Sequence, residues 1–358
     1  MGKDKESTER KRSVGFHPDF LAMLPKKIAA TIKNVTLESA RKKLPDELAN
    51  YFQKVQKKLG ADFLPDISRA LIHLRKRSAS DFEEGSIAQS LARNGKITSA
   101  IMHDNPTFAA TVPVALQRFT QQKSELIGSG VLIRIYDRTF LLTAAHVADF
   151  KSEGSIMIPG KDNFVSPGGW YYTMNLPTSG NRGDDKLDVA YVCLDNDSED
   201  DLHSSCKILE HQDLSLEVDT SRTIYTFAGY PWRLGKVKNG VIETDFSTMT
   251  SGEVQKKDYE ALGLNQSRHI VIRFNRERTF SERHKRVVVS PLPSGMSGGG
   301  VYAWSEKALK SWPVRLPLAG IVTEFIADKR LLVATRLEVY IRCIVHSHPA
   351  LFTNVGEG

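Results

Sequence analysis

The sequence predicts a mainly β protein whose front third is α-helical. Three observations carry this: a change of texture near Thr111, helical spacing of apolar residues before it, and short apolar runs after it. In the front third, Leu48, Tyr51, Phe52, Val55 and Leu59 share one helical face, with Pro45 suited to a first turn and Gly60 to a stop. A second helix is expected over about residues 66–77. A third opens at Ser80-Asp-Phe-Glu83, where Ser80 and Glu83 can form a capping box, and ends near Asn94-Gly95. An earlier one over 20–32 is interrupted by Pro25. Three or four such helices make a small bundle or pack on the rest of the chain. Beyond Thr111, the runs at 111–116, 130–135, 269–274, 286–289 and 318–322 read as strands separated by glycine, proline and polar turns. Many such runs point to barrels or sandwiches.

Composition places the chain among globular proteins. Its 358 residues are 41% hydrophobic and 25% charged, enough for one large domain and a smaller one. No apolar run approaches membrane-spanning length, and the charged start shows no secretory signal. Three scattered cysteines, Cys193, Cys206 and Cys343, do not make a disulfide framework, so a cytoplasmic location is expected. Cys343, His346 and His348 lack an evident fourth ligand and fall in a stretch that reads as a closing helix, so no metal is expected. Charge is uneven: residues 1–120 carry 21 Lys+Arg and 13 Asp+Glu, a balance of +8, leaving 28 and 29, a balance of −1, for the remaining 238. Lys54, Lys57, Lys58, Arg75, Lys76 and Arg77 read as solvated helix faces rather than a nucleic-acid surface, because no nucleic-acid motif or interleaved aromatics accompany them.

The chemistry is concentrated in three places. Pro291-Leu-Pro-Ser-Gly-Met-Ser-Gly-Gly-Gly300 sets Ser297 among small residues that can hold its hydroxyl exposed. Leu141-Leu-Thr-Ala-Ala-His146 places a histidine straight after an apolar run, and Leu187-Asp188-Val-Ala-Tyr-Val places a carboxylate at the head of another. A serine hydroxyl is a weak nucleophile at neutral pH, so a neutral imidazole must take its proton during attack on a carbonyl. A buried carboxylate on the other ring nitrogen then fixes the tautomer and stabilises the imidazolium. His146 fits the base, Asp188 its orienting acid and Ser297 the nucleophile. The amides of Gly295 and Ser297 are the candidate oxyanion donors, since glycine gives that turn its conformational freedom. Asp184 and Asp185 lie nearby in a polar run that reads as a solvated loop.

These residues and their order resemble the trypsin/chymotrypsin-like serine peptidases, in the cysteine-poor bacterial form typified by HtrA-like protease domains, with no recognisable PDZ module. The resemblance is carried by Gly128-Ser-Gly130-Val-Leu-Ile, Thr143-Ala-Ala-His146, Leu187-Asp188-Val-Ala190, Gly229-Tyr-Pro231, Gly295-Met-Ser297-Gly-Gly299 and Gly320-Ile-Val322. All lie in family order over about residues 110–345. It implies a chymotrypsin-like double six-stranded antiparallel β-barrel, with the site in the cleft between barrels. The expected layout is a helical region over 1–110 and a protease domain over 111–358. Within the latter, barrel one takes about 111–220, barrel two about 221–336 and a helix about 337–346. It further implies a cytoplasmic bacterial serine endopeptidase without a cofactor. A polypeptide is its substrate, and the helical region is a docking place for a protein regulator.

Departures from the family pattern matter too. Where secreted members carry an aspartate that pairs with a new amino terminus after zymogen cleavage, this chain has Met296, so no cleavage-dependent ammonium switch is expected. Family spacing puts the floor of the primary pocket at Pro291 and Leu292, neither of which pairs with lysine or arginine. Thr323, Glu324 and Phe325 would line the substrate backbone and the rim, with Phe325 narrowing the entrance. A preference for small or medium apolar residues follows.

Two other readings compete. The serine motif also describes the nucleophile elbow of α/β-hydrolases, with Glu338 and His346 or His348 as partners, but an elbow must run into a helix and 298–304 reads as a strand. The other is a pseudoprotease, or a latent protease awaiting a partner, that uses the cleft as a polypeptide-binding module.

Overall fold

The structure, a computed structural model, describes residues 108–353 apart from 109, 119–122, 217–223, 239–240, 275, 277–278, 282–285 and 305–315. The helices expected before residue 108 lie outside the described residues. Within them the protein is mainly β, as the sequence predicts. Seven strands form the first antiparallel sheet: β1 (Thr111–Arg118), β2 (Lys123–Ile135), β3 (Arg138–Ala144), β4 (Ser155–Pro159), β5 (Phe164–Val165), β6 (Gly169–Thr173) and β7 (Val189–Leu194). Their spatial order is β5-β4-β1-β2-β3-β7-β6, the two-residue β5 adding a seventh strand at one edge. The second sheet is built from β8 (Ile224–Gly229) and, after the ribbon β9 (Lys236–Lys238) and β10 (Val241–Glu243), from β11 (Ser247–Gly252) and β12 (His269–Arg273). It is completed, after the ribbon β13 (Thr279–Ser281) and β14 (Arg286–Val288), by β15 (Gly300–Trp304), β16 (Leu318–Ile326) and β17 (Leu331–Arg336). Its six strands run in the order β11-β8-β15-β16-β17-β12. Both sheets curl into half-barrels.

The five apolar runs singled out in the sequence all fall in strands, β1, β2, β12, β14 and β16. In β2, β12 and β16 they lack a clean polar alternation because both faces are covered. Successive side chains point to opposite faces of a strand. On β2, Val131 and Ile133 enter the core between the sheets while Leu132 enters a second core with Leu141, Val192 and Leu202.

The core between the sheets takes Phe140, Leu142, Val189 and Tyr191 from one side and Ile224, Tyr302, Trp304 and Ile321 from the other. The helix Leu337–Ser347 closes it with Leu337, Tyr340 and Ile344, all fully buried. A buried ion pair stiffens the second sheet: Arg336 Nη2 lies 3.1 Å from Glu253 Oε1, and its Nε donates to Gln266 O at 2.7 Å. Tyr259 also donates to Glu253 Oε1, at 2.6 Å, so the pair is hydrogen-bonded as well as buried, as such pairs must be to offset desolvation. The three cysteines are free. Among the described residues no helix is long and apolar enough to cross a membrane.

Candidate active site

β3 delivers His146 to its position. The strand ends at Ala144 and the chain enters the short helix α1 (Ala145–Asp149), whose first amides have no partner within the helix. Asp188 supplies partners for two of them: its carbonyl accepts from the Ala145 amide at 2.9 Å and its Oδ1 from the His146 amide at 2.9 Å. Its Oδ2 lies 2.6 Å from His146 Nδ1. One carboxylate thus holds both the backbone and the ring of the histidine. A carboxylate oxygen at this distance favours the tautomer of the neutral ring with its proton on Nδ1, which leaves the Nε2 lone pair free. The Asp188 side chain is 9% exposed and the His146 side chain 36%, so the acid is shielded and the base is reachable.

Asp188 itself has φ of +50°, a conformation that costs a non-glycine residue about 1–3 kcal/mol and persists only where neighbours impose it. The neighbours are visible. Asp185 Oδ1 accepts from the Leu187 and Asp188 amides at 3.1 and 3.0 Å, and its Oδ2 pairs with Arg182 at 2.8 Å. From the second sheet, His269 Nε2 contacts Lys186 O at 2.9 Å and Thr335 donates to Leu187 O at 2.6 Å. Asp185, expected in a solvated loop, is instead a buried anchor with 7% side-chain exposure; Asp184 is exposed. Its amide-accepting role depends on a turn whose shape no local sequence pattern announces.

Ser297 lies in the tight turn before β15. The chain continues into a strand rather than a helix, which removes the elbow geometry, and Glu338 pairs with Arg342 on the exposed face of its own helix. Gly298 N donates to Val322 O at 2.7 Å, and Val322 N to Gly299 O at 2.8 Å, locking the turn to β16. Met296 is fully buried in the second sheet's own core beside Phe227 and Val301. An apolar anchor thus occupies position 296, where the resemblance places an ion-pairing aspartate. Gly295 has φ of +93°, and a Cβ there would come 2.5 Å from Trp232 N. Among the described residues, no acceptor engages the Gly295 or Ser297 amide.

The segments meet around Gly128, where an added Cβ would lie 2.7 Å from Val147 Cγ2 and 3.0 Å from Ser297 O. The residue after His146 and the backbone of Ser297 therefore flank one glycine. The Ser297 hydroxyl points to Thr323 O at 3.4 Å, and among the described residues it makes no hydrogen bond to His146. Thr323 is placed by a bulge: β16 pairs Val322 with Ala334 and Glu324 with Val333, leaving Thr323 as the extra residue. Of the other pocket candidates, Pro291 and Leu292 are half-buried, Glu324 is exposed, and Phe325 stacks edge-on against Phe274 with centroids 5.2 Å apart.

Sequence reasoning gave no role to Ser129, although it lies between the two glycines of a quoted motif. It is fully buried and bonded on every side. Its amide donates to Ser297 O at 2.7 Å, its hydroxyl donates to Gly295 O at 3.1 Å and accepts from Tyr230 N at 2.9 Å, and its carbonyl accepts from Thr143 Oγ1 at 2.8 Å. Tyr340 donates to Thr143 O at 2.9 Å, and burial together with nearby Asp188 pushes that phenol far above its ordinary pKa, so it stays a donor. Ser129→Ala removes two of these bonds and leaves the Tyr230 amide unsatisfied. The expected loss is about 1–3 kcal/mol of stability, checked by denaturant unfolding.

No family model matches the chain, and no curated protein matches it. Among solved structures it is similar to neuropsin, a serine protease of mouse brain, at 15% identity over 68% of this chain and 95% of that one, with a TM-score of 0.44. It is also similar to the Rv3671c protease of M. tuberculosis in its active form, at 13% identity over 69% and 84%, with a TM-score of 0.39. A third is the thermostable serine protease AL20 from an extremophilic microorganism, at 12% identity over 69% and 99%, with a TM-score of 0.41. The structure neighbours are trypsin-like serine proteases.

Proposed function

We propose that the protein is a serine endopeptidase. The observation that carries this reading is the 2.6 Å contact of His146 Nδ1 with Asp188 Oδ2, made where the histidine segment and Ser297 flank Gly128. In this mechanism the Ser297 hydroxyl leaves Thr323 O by a side-chain rotation and attacks the scissile carbonyl as His146 Nε2 takes its proton. Asp188 holds the ring and stabilises the imidazolium. The amides of Gly295 and Ser297 receive the developing oxyanion. His146 then protonates the departing amine, leaving an acyl ester on Ser297, and a water deprotonated by the same nitrogen releases the acid. The region 1–110 is assigned to docking a regulator, and the protein to the bacterial cytoplasm.

A fluorophosphonate probe tests the reading, because it forms a stable phosphonyl ester only with an activated serine. Rapid labelling of the full chain, blocked by Ser297→Ala, is expected. Labelling that appears only after addition of cell extract assigns a partner-activated enzyme, and no labelling under either condition contradicts the proposal.

A further inference from the structure

Beside the Ser297 turn lies a cavity of about 730 Å³ whose wall includes Phe274, Leu292 and Phe325 and whose rim carries Arg276, Lys329 and Arg330. It adjoins the candidate site on both sides. Leu292 lies on the segment leading into Ser297, and Phe325 follows Thr323, whose carbonyl holds the Ser297 hydroxyl. Among the described residues no carboxylate lines the cavity, while a fourth cation, Arg273, does; Arg273 has Asp258 at 3.6 Å, and exposed Asp328 precedes Lys329 in the turn. Among the described residues no carboxylate pairs with Arg276, Lys329 or Arg330. The Arg276 guanidinium is held, its Nε donating to Ser290 O at 2.8 Å, and the backbone of the turn that carries Lys329 is tied to β12's end, Arg330 O accepting from Phe274 N at 2.9 Å. In sequence, residues 273–286 contain six Lys or Arg against two Glu.

An excess of cations over an apolar wall produces a positive potential concentrated in a concave site, where low-dielectric walls strengthen it. We propose that this cavity takes an aspartate or glutamate side chain of the polypeptide whose carbonyl reaches Ser297. The methylenes of a glutamate suit Phe274, Leu292 and Phe325, and its carboxylate suits the rim. The occupant therefore differs from the apolar residue expected from Pro291 and Leu292 alone. This inference rests on the protease reading for the identity of the bound chain, but its electrostatic content can be tested without turnover.

The test uses the full chain carrying Ser297→Ala, which cannot cleave. Anisotropy is measured with a fluorescent extended peptide bearing glutamate at alternate positions, with its glutamine counterpart, and with a DNA oligonucleotide of equal charge. The glutamate peptide is expected to bind about tenfold more tightly than the glutamine one at low salt. That advantage should disappear in Lys329→Gln/Arg330→Gln, and separately in Lys329→Glu, whose side chain is exposed. Equal affinity for the two peptides, an advantage unchanged in both variants, or tighter binding of DNA that depends on the same residues would overturn the cavity assignment. Fluorophosphonate labelling of the unmutated chain is read in parallel: its absence speaks against the protease reading, whereas labelling without a glutamate advantage defeats the cavity assignment alone.

Discussion

Ser297→Ala and His146→Ala are each expected to lower peptide-bond cleavage by about 10⁶-fold and Asp188→Asn by about 10⁴-fold, with thermal unfolding unchanged in Ser297→Ala and lowered in His146→Ala, which orphans the shielded Asp188 Oδ2. The magnitudes come from protease triads in general, but the reason for the ordering is local. Removing the hydroxyl or the ring removes a bond-making partner. Asparagine at 188 keeps an oxygen for the His146 amide, yet presents an NH₂ or a weaker acceptor to Nδ1, which favours the wrong tautomer and leaves Nε2 protonated. The same bonds separate a catalytic from a structural role. If Asp188 merely held the α1 turn, the asparagine variant would lose stability and keep its rate. The double variant Ser297→Ala/His146→Ala should be no slower than either single one, because the two groups act as a unit. Cleavage of a peptide library followed by mass spectrometry measures all four.

Gly298→Ala should cost on the order of 4 kcal/mol of stability and abolish labelling of Ser297 in whatever fraction folds. Gly298 has φ of +85°, and a Cβ there would overlap the Ser129 carbonyl oxygen and crowd Thr143 Oγ1, which are bonded to each other. The left-handed backbone alone costs about 1–2 kcal/mol with a side chain. The overlap forces a choice between moving Ser297 and breaking the Ser129 hub, which ties the first sheet to the nucleophile turn. Gly180, with φ of +73° and open space around it, is the control: Gly180→Ala meets the same backbone penalty without the collision. Urea unfolding of the two variants separates strain from steric conflict.

Much of this was legible in the sequence, for identifiable reasons. His146, Asp188 and Ser297 each lie within three residues of a strand end, so local pattern already placed them where strands end, and the runs of β2, β12 and β16 were recognisable because burial on both faces keeps them mostly apolar. What was not legible depends on contacts between distant segments. Nothing near Asp185 says that its carboxylate will accept two amides. Nothing near Ser129 says that its hydroxyl will reach residues more than a hundred positions away. The cations beside the candidate pocket were out of view for a similar reason. Pro291 and Leu292 are apolar, but the cations on the rim come from β12, its following loop and the β16–β17 turn, which only the fold brings together.

The central claim is that one histidine, one aspartate and one serine operate on a single carbonyl. The most direct measurement is acid-quenched trapping of the acyl intermediate from an activated ester, located by tandem mass spectrometry. The account predicts an acyl group on Ser297 that forms in the unmutated chain and fails to form in His146→Ala. Acylation at another side chain, or undiminished acylation of Ser297 without His146, would contradict it.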